Sequence, residues 1–218
     1  SGAAAQVRIK WADVRSQYDA FLAANPDPER PTDRISLWAR TRCWLQREGY
    51  VREFDSRCLK RFEADPAGRF AKWYFQMPCG MGFEVDFEFT LSLPNGANAA
   101  ELTVKRMPGK EANGAGRVRL VFRPDIEWRS FHATTKAYQG PEGLFAKSCE
   151  PVGAGTSSSP YSGFDFHPYD GHFNMSVTGG ECRLKGAPKV EKVASIPPEG
   201  YELSIRPDGM TIRYSDDA

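Results

Sequence analysis

Odd and even positions separate cleanly between Phe83 and Leu93. Phe83, Val85, Phe87, Phe89, Leu91 and Leu93 are apolar, while Glu84, Asp86, Glu88, Thr90 and Ser92 are polar. A period of two places the two sets on opposite faces of a strand, one dry and one wet. That marks an antiparallel sheet, since parallel sheets are usually covered on both faces. Asn95-Gly96 follows as a turn pair whose residues tolerate positive φ, and Leu102, Val104 and Arg106 continue as the partner strand. Ile35, Leu37, Ala39, Cys43 and Leu45 alternate in the same way with Ser36, Trp38, Arg40, Arg42 and Trp44. Trp38 and Trp44 fall on the polar side, so that side is covered in part. Glu48-Gly49 then turns the chain into a strand over 50–54.

Further along, Asn113-Gly114 and Gly116 mark a loop before Val118, Leu120 and Phe122. At the end, Tyr201, Leu203 and Ile205 alternate, Pro207-Asp208-Gly209 turns, and Met210, Ile212 and Tyr214 alternate back, which reads as a hairpin. One early segment has a different period. Trp11, Val14, Tyr18, Phe21 and Leu22 recur at three- and four-residue steps, which predicts a helix with one apolar stripe. Asn25, Pro26 and Pro28 end it, and 25–31 is a polar linker. The fold class is therefore mainly β: a large antiparallel two-sheet sandwich with five or more strands per sheet and one N-terminal helix. Residues 1–10 read as a tag remnant and lead-in, 11–31 as helix and linker, and 32–218 as the β-sandwich domain.

Charge and composition exclude several roles. Lys plus Arg is 29 and Asp plus Glu is 28, a net charge of +1. So even a balance gives no reason to expect a nucleic-acid or anionic-membrane partner. The 40% hydrophobic content supplies a packed core. Five cysteines without a C-x-x-C pair fit a reducing, cytoplasmic setting better than a disulfide framework or a zinc knuckle. No run approaches the roughly 20 apolar residues that span a bilayer.

Catalytic motifs are scarce. The chain has neither a G-x-S-x-G elbow nor a Walker loop, and Gly153-Ala154-Gly155 sits in a Ser-rich surface loop. Cys43 lies in an apolar register and reads as buried. Glu84, Asp86 and Glu88 are spaced about 6–7 Å apart along one strand face, which is ordinary solvation of a wet face. His167 and His172 lie in H-P-Y-D-G-H, near Asp165 and Asp170. Metal ligands favour i, i+2 on a strand or i, i+4 on a helix, and a spacing of five broken by proline and glycine gives neither. They read as loop histidines, with no metal and no cofactor assigned.

The densest constellation runs from Arg123 to Tyr138, R-P-D-I-E-W-R-S-F-H-A-T-T-K-A-Y. Pro124 is expected to end the preceding strand. Arg123, Asp125, Glu127, Trp128, Arg129, His132, Lys136 and Tyr138 are the candidate residues. They suit an ion-pair network at a sheet edge. They equally suit a sugar-contacting or interdomain surface, where arginine forks meet hydroxyls and aromatic faces meet ring C–H groups. None is assigned a catalytic role.

R-V-R-L-V-F-R-P-D-I-E-W-R-S-F-H-A-T-T-K-A-Y-Q-G-P-E, from Arg117 to Glu142, resembles the bacterial glycogen debranching enzyme family of the amylo-α-1,6-glucosidase type. The resemblance lies in Arg123-Pro124, Arg129 and Phe131-His132. Y-D-A-F-L-A-A-N from Tyr18, P-T-D-R-I from Pro31 and R-C-W-L-Q-R-E-G-Y from Arg42 are similar to earlier parts of the same β domain. Beyond Phe173 the sequence departs from the pattern. The resemblance implies a non-catalytic antiparallel super-sandwich preceding an (α/α)6 barrel that bears the catalytic carboxylates, with α-glucan as a possible contact. Two alternatives stand beside it. One is a free-standing carbohydrate-binding module with a Trp and Tyr platform. The other is a sugar-isomerising enzyme using His132 and a neighbouring carboxylate as acid and base.

Overall fold

A computed structural model describes residues 3–25, 27, 29–30, 32–108, 118–134, 149–152, 163–167, 172–178, 180–185, 200–205 and 210–215. In chain order the strands are β1 (Ala4–Gln6), β2 (Ala20–Ala24), β3 (Ile35–Arg47), β4 (Tyr50–Glu53) and β5 (Leu59–Ala64). Then come β6 (Phe70–Pro78), β7 (Glu84–Ser92), β8 (Ala99–Arg106), β9 (Arg119–Ser130) and β10 (Cys149–Val152). Last are β11 (Gly163–Phe166), β12 (Phe173–Thr178), β13 (Gly180–Lys185), β14 (Gly200–Ile205) and β15 (Met210–Ser215). The first sheet runs β1-β2-β3-β9-β14-β13, with β4 also paired to β3; the second runs β10-β11-β12-β15-β8-β7-β6-β5. All the pairings are antiparallel.

The regular strand behaves as its pattern demands. Val85, Phe87, Phe89 and Leu91 of β7 are buried between the sheets, and Glu84 and Asp86 are exposed. Glu88 is the exception: it is buried on the outer side, where Lys72 and the Thr90 hydroxyl reach its carboxylate at 3.4 and 3.2 Å. The β3–β4 hairpin closes through Glu48 (φ 47°) and Gly49 (φ 83°), the two positive-φ residues that a tight turn matching the strand twist requires.

Trp38 is not on the outer face. It is fully buried and packs 5.1 Å from the Phe21 ring. The reason is a pair of compensating register shifts between β3 and β9, at Ser36/Trp38 and Trp38/Arg40. One extra residue on a strand exchanges its faces. Trp44, beyond the shifts, keeps its expected side and is covered there.

No helix forms over the described residues 11–22. Ala12 has φ 57°, outside the right-handed helical region, and the chain turns instead. Asp19, 2% exposed, accepts the backbone N–H groups of Arg15 and Ser16 at 2.8 and 2.9 Å. A short acid that binds local backbone donors competes with helical hydrogen bonding. Phe21 and Leu22 then enter β2 and zip onto β3. The apolar spacing reflects two separate insertions into one core, by Trp11 and by Phe21, while Val14 is left exposed. Ala4–Gln6, within the expected lead-in, is edge strand β1.

Two further expectations change. β14 and β15 are not partners in a hairpin: β14 pairs with β13 and β9 in the first sheet, and β15 with β12 and β8 in the second. Alternation identifies a strand but not its neighbour, and here the chain crosses between sheets. Residues 207–209 of the expected turn lie outside the described residues, as do Asn113, Gly114 and Gly116. Nor does Pro124 end a strand. β9 continues through it to Ser130, opposite β3, while pairing with β14 involves only residues 119–122 of β9. From Arg123 onward that second edge of β9 bears no ladder bonds to β14, so a missing N–H is tolerated.

Trp11 plugs one end of the sandwich. Its ring lies 5.1 Å from Trp73, 5.0 Å from Phe89 and 5.2 Å from Phe21. The Trp73 indole N–H donates to the carbonyls of Arg8 and Ile9 at 3.2 and 3.0 Å, which fastens the N-terminal segment over the core.

Candidate functional site

β9 carries most of the candidate constellation, and its alternation decides where each side chain goes. Leu120 and Phe122 face the core opposite Leu45 and Cys43 of β3. Burial pushes the Cys43 thiol well above its ordinary range, with the Glu53 charge adding to the effect, so it is inert as a nucleophile. The intervening residues Val121, Arg123 and Asp125 stand opposite Trp44, Arg42 and Arg40. On that face Asp125 accepts a hydrogen bond from Arg40 Nε on Oδ2 and from Arg42 on Oδ1, both at 2.6 Å. Arg40 also donates to the Ala12 carbonyl at 3.1 Å, tying the N-terminal segment to the network. Asp125 is buried and the two guanidinium groups are only partly exposed. Trp44 and Val121 beside them are buried as well, so this is a covered polar patch rather than a plain solvent face.

After Ile126 the register of β9 against β3 shifts, and the remaining residues follow it. Trp128 packs, partly buried, against the core. Arg129 Nε donates to Glu127 at 2.8 Å, with both side chains 12% exposed. The rest of its guanidinium reaches the carbonyls of Ala133 and Gln17 at 2.5 and 3.0 Å. Gln17 returns a bond to the His132 carbonyl at 3.3 Å. The Tyr18 hydroxyl faces His132 Nδ1 at 3.4 Å, and the Tyr18 ring packs 5.0 Å from Phe131. Arg129 is thus a clip between the end of β9 and the turn before β2.

Two sets of contacts can be followed among these residues. Arg40, Arg42 and Asp125 form the first, with Arg123 directly across from Arg42. Glu127, Arg129, Gln17, Tyr18 and His132 form the second. Lys136 and Tyr138 lie outside the described residues. Arg40, Arg42, Gln17 and Tyr18 are the members that sequence reading missed. The signal for the first two was the spacing Arg40-Thr41-Arg42, two cations on one face of a strand that also had to cover an acid. Chemically, both networks bind and brace. Each oxygen of the Asp125 carboxylate accepts a guanidinium donor, and among the described residues the His132 ring faces a hydroxyl, not a carboxylate that would make it half of an acid–base pair.

Residues 10–192 match the family model described as glycogen debranching enzyme N terminal. The chain belongs to that family. The match takes in both networks and all strands from β2 to β13 of this N-terminal domain. No curated protein matches the chain. No helix among the described residues is long and apolar enough to cross a membrane.

Proposed function

We propose that this domain is the non-catalytic super-sandwich of a glycogen-debranching-type glycoside hydrolase. Its work is to pack against an (α/α)6 barrel bearing the catalytic carboxylates, and to shape an α-glucan groove at that junction. The observation that carries this is the family match over residues 10–192. The two networks supply the contact chemistry. Arg40 and Arg42 present partly exposed guanidinium edges. At the end of β9 the exposed His132 ring, with the Tyr18 hydroxyl against it, is a second polar contact point. Planar donors of this kind suit carbonyls, carboxylates and sugar hydroxyls on a partner surface. The setting we assign is cytoplasmic, where free thiols such as buried Cys43, Cys58 and Cys79 persist.

The two alternatives draw less support from the described residues. The tryptophan part of a Trp and Tyr carbohydrate platform is missing, since Trp11, Trp38, Trp44 and Trp73 are buried and Trp128 leans on the core. An isomerase needs a base beside His132, which the described residues do not provide.

The test pairs two forms of the protein, this domain alone and the domain joined to the helical neighbour proposed for it. The isolated domain should release no glucose from a limit dextrin. Replacing Arg129 and His132 by alanine together should weaken glucan binding or association with the barrel. If only the melting temperature of the isolated domain falls, while glucan binding and association stay as before, the networks are purely structural.

A further inference from the structure

The sequence H-P-Y-D-G-H has a geometry that a count of residues along one strand or helix does not show. β11 and β12 pair antiparallel, with Asp165 opposite Asn174 and Phe166 opposite Phe173. Continuing that register by one step sets His167 directly opposite His172 across the four residues between them. A spacing of five that fits neither a single strand nor a single helix brings two side chains together when the flanking strands pair antiparallel in this register. The rings confirm the juxtaposition, stacking at 4.6 Å between centroids with 12° between planes. Asp165, two residues before His167, lies on the same side of β11, and its Oδ1 is 3.6 Å from His172 Nε2.

We propose that Asp165, His167 and His172 form a binding site for a divalent transition-metal ion of the zinc class. One ligand atom from each of the three lies within 4.8 Å of the others. Ligands at the corners of a tetrahedral zinc site stand about 3.3–3.5 Å apart, given bonds near 2.0–2.1 Å. The Asp165–His172 separation of 3.6 Å is within a few tenths of an ångström of that edge. A tilt of the near-parallel histidine rings brings the third ligand in. Two imidazoles with one carboxylate suit zinc, cobalt or nickel rather than calcium or magnesium, which prefer all-oxygen shells. Asp165 is braced as metal-ligating carboxylates usually are: the side-chain amide of Asn174, its cross-strand neighbour, donates to Oδ1 at 2.6 Å. With Asp165 and His172 35% and 42% exposed, water has access to complete the coordination. An ion held there would clamp the paired ends of β11 and β12 together.

The experiment uses the full chain, free of any affinity tag and stripped of metal with a chelator. It is titrated with Co(II), followed by visible absorption, and with Zn(II), followed by calorimetry. One equivalent should bind, with the absorption of low-coordinate nitrogen and oxygen ligation. His167→Ala, His172→Ala and Asp165→Asn should each weaken binding at least about tenfold, the lower end of what loss of a bracing group does. Asn174→Ala should act in the same direction by less. Metal-free melting temperatures should stay the same across the set, since these side chains are largely outside the core. Asp165→Asn preserves the shape of the side chain and guards against misfolding. Absence of saturable one-to-one binding would overturn the site. So would variants that bind as the unaltered chain does, because the ion would then sit elsewhere.

Discussion

β3 and β9 build two regions from the same backbone, and the two hold together by different physics. Inward, Cys43, Leu45, Leu120 and Phe122 join an aromatic interior with Trp11, Trp73, Phe75 and Phe89. Outward, Arg40, Arg42 and Asp125 join by short charged hydrogen bonds. The interior gains from area removed from water, at roughly 25 cal/mol per Å² of apolar surface, and it tolerates imperfect partners. The outer network has no such latitude. Its carboxylate is buried only because each oxygen has a guanidinium, and loss of one member strands the others. The interior thus sets that the chain folds, and the network sets how the N-terminal segment and β9 are aligned at one end.

The largest effect should come from the interior. Trp73 is fully buried, lies 5.1 Å from Trp11 and 5.4 Å from Phe62, and anchors the Arg8 and Ile9 carbonyls. Trp73→Ala should lower unfolding free energy by about 3–5 kcal/mol. Urea denaturation measures it. A loss under about 1 kcal/mol would mean that the aromatic plug is not the principal source of stability.

Asp125→Ala should come next, at about 1–3 kcal/mol: less than a fully buried pair because Arg40 and Arg42 remain partly hydrated. The contrast sharpens with a triple change to apolar residues at 40, 42 and 125. If the network chiefly aligns the chain, the triple variant should recover much of the lost stability yet still lose partner association. Stability that falls further with each added change would break that reading.

These contrasts also mark what the residues alone could convey. Period-two alternation located β7 and β8 because each has one dry face, and it found the turn at Glu48-Gly49 because positive φ restricts residue choice. It failed at Trp38, where a bulge reverses the faces, and a bulge depends on how two strands meet. It failed at 11–22, where apolar spacing of a helical kind came from two separate insertions and a capping aspartate. β14 and β15 read as strands but not as members of different sheets, since partner choice is a long-range property. At the site, Arg129 and His132 were visible as a dense motif. Gln17 and Tyr18, more than a hundred residues away, were not.

Acid should affect the segment that joins the two regions. Burial alone would raise the Asp19 carboxyl, but hydrogen bonds from Arg8 and from the N–H groups of Arg15 and Ser16 outweigh it and hold it below the ordinary carboxylate range. A depressed folded-state value means that Asp19 contributes stability above its unfolded pKa, near 3.9, which is lost as pH falls through the lower folded value. Asp19→Asn should therefore flatten the acid limb of a stability-versus-pH curve below about pH 4 and lower the plateau at neutral pH. An unchanged acid limb would show that the carboxylate is not selectively stabilised in the fold.

The smallest effect should come from charges that resemble the Asp125 network in everything but burial. On edge strand β5, Arg61 pairs with Glu63 at 2.8 Å, with the two side chains 59% and 40% exposed. Its guanidinium also lies 4.0 Å from the centre of the Tyr74 ring, whose hydroxyl donates to Glu63 at 3.2 Å. By count of contacts this trio rivals Arg42 and Asp125. Yet water solvates both charges before and after folding, so the pair gives up little hydration and gains little. Arg61→Ala should cost no more than about 1 kcal/mol, combining a surface ion pair with an exposed cation–π contact. The cost should shrink further in 0.5–1 M salt, where screening acts over about 3–4 Å. Asp125→Ala should keep most of its cost there, because the carboxylate itself is buried. A double-mutant cycle on Arg61 and Glu63 run beside one on Arg42 and Asp125, each at low and high salt, measures the difference directly. Equal coupling energies with equal salt dependence would show that burial does not separate the two, and the distinction between braced and merely paired charges would fall.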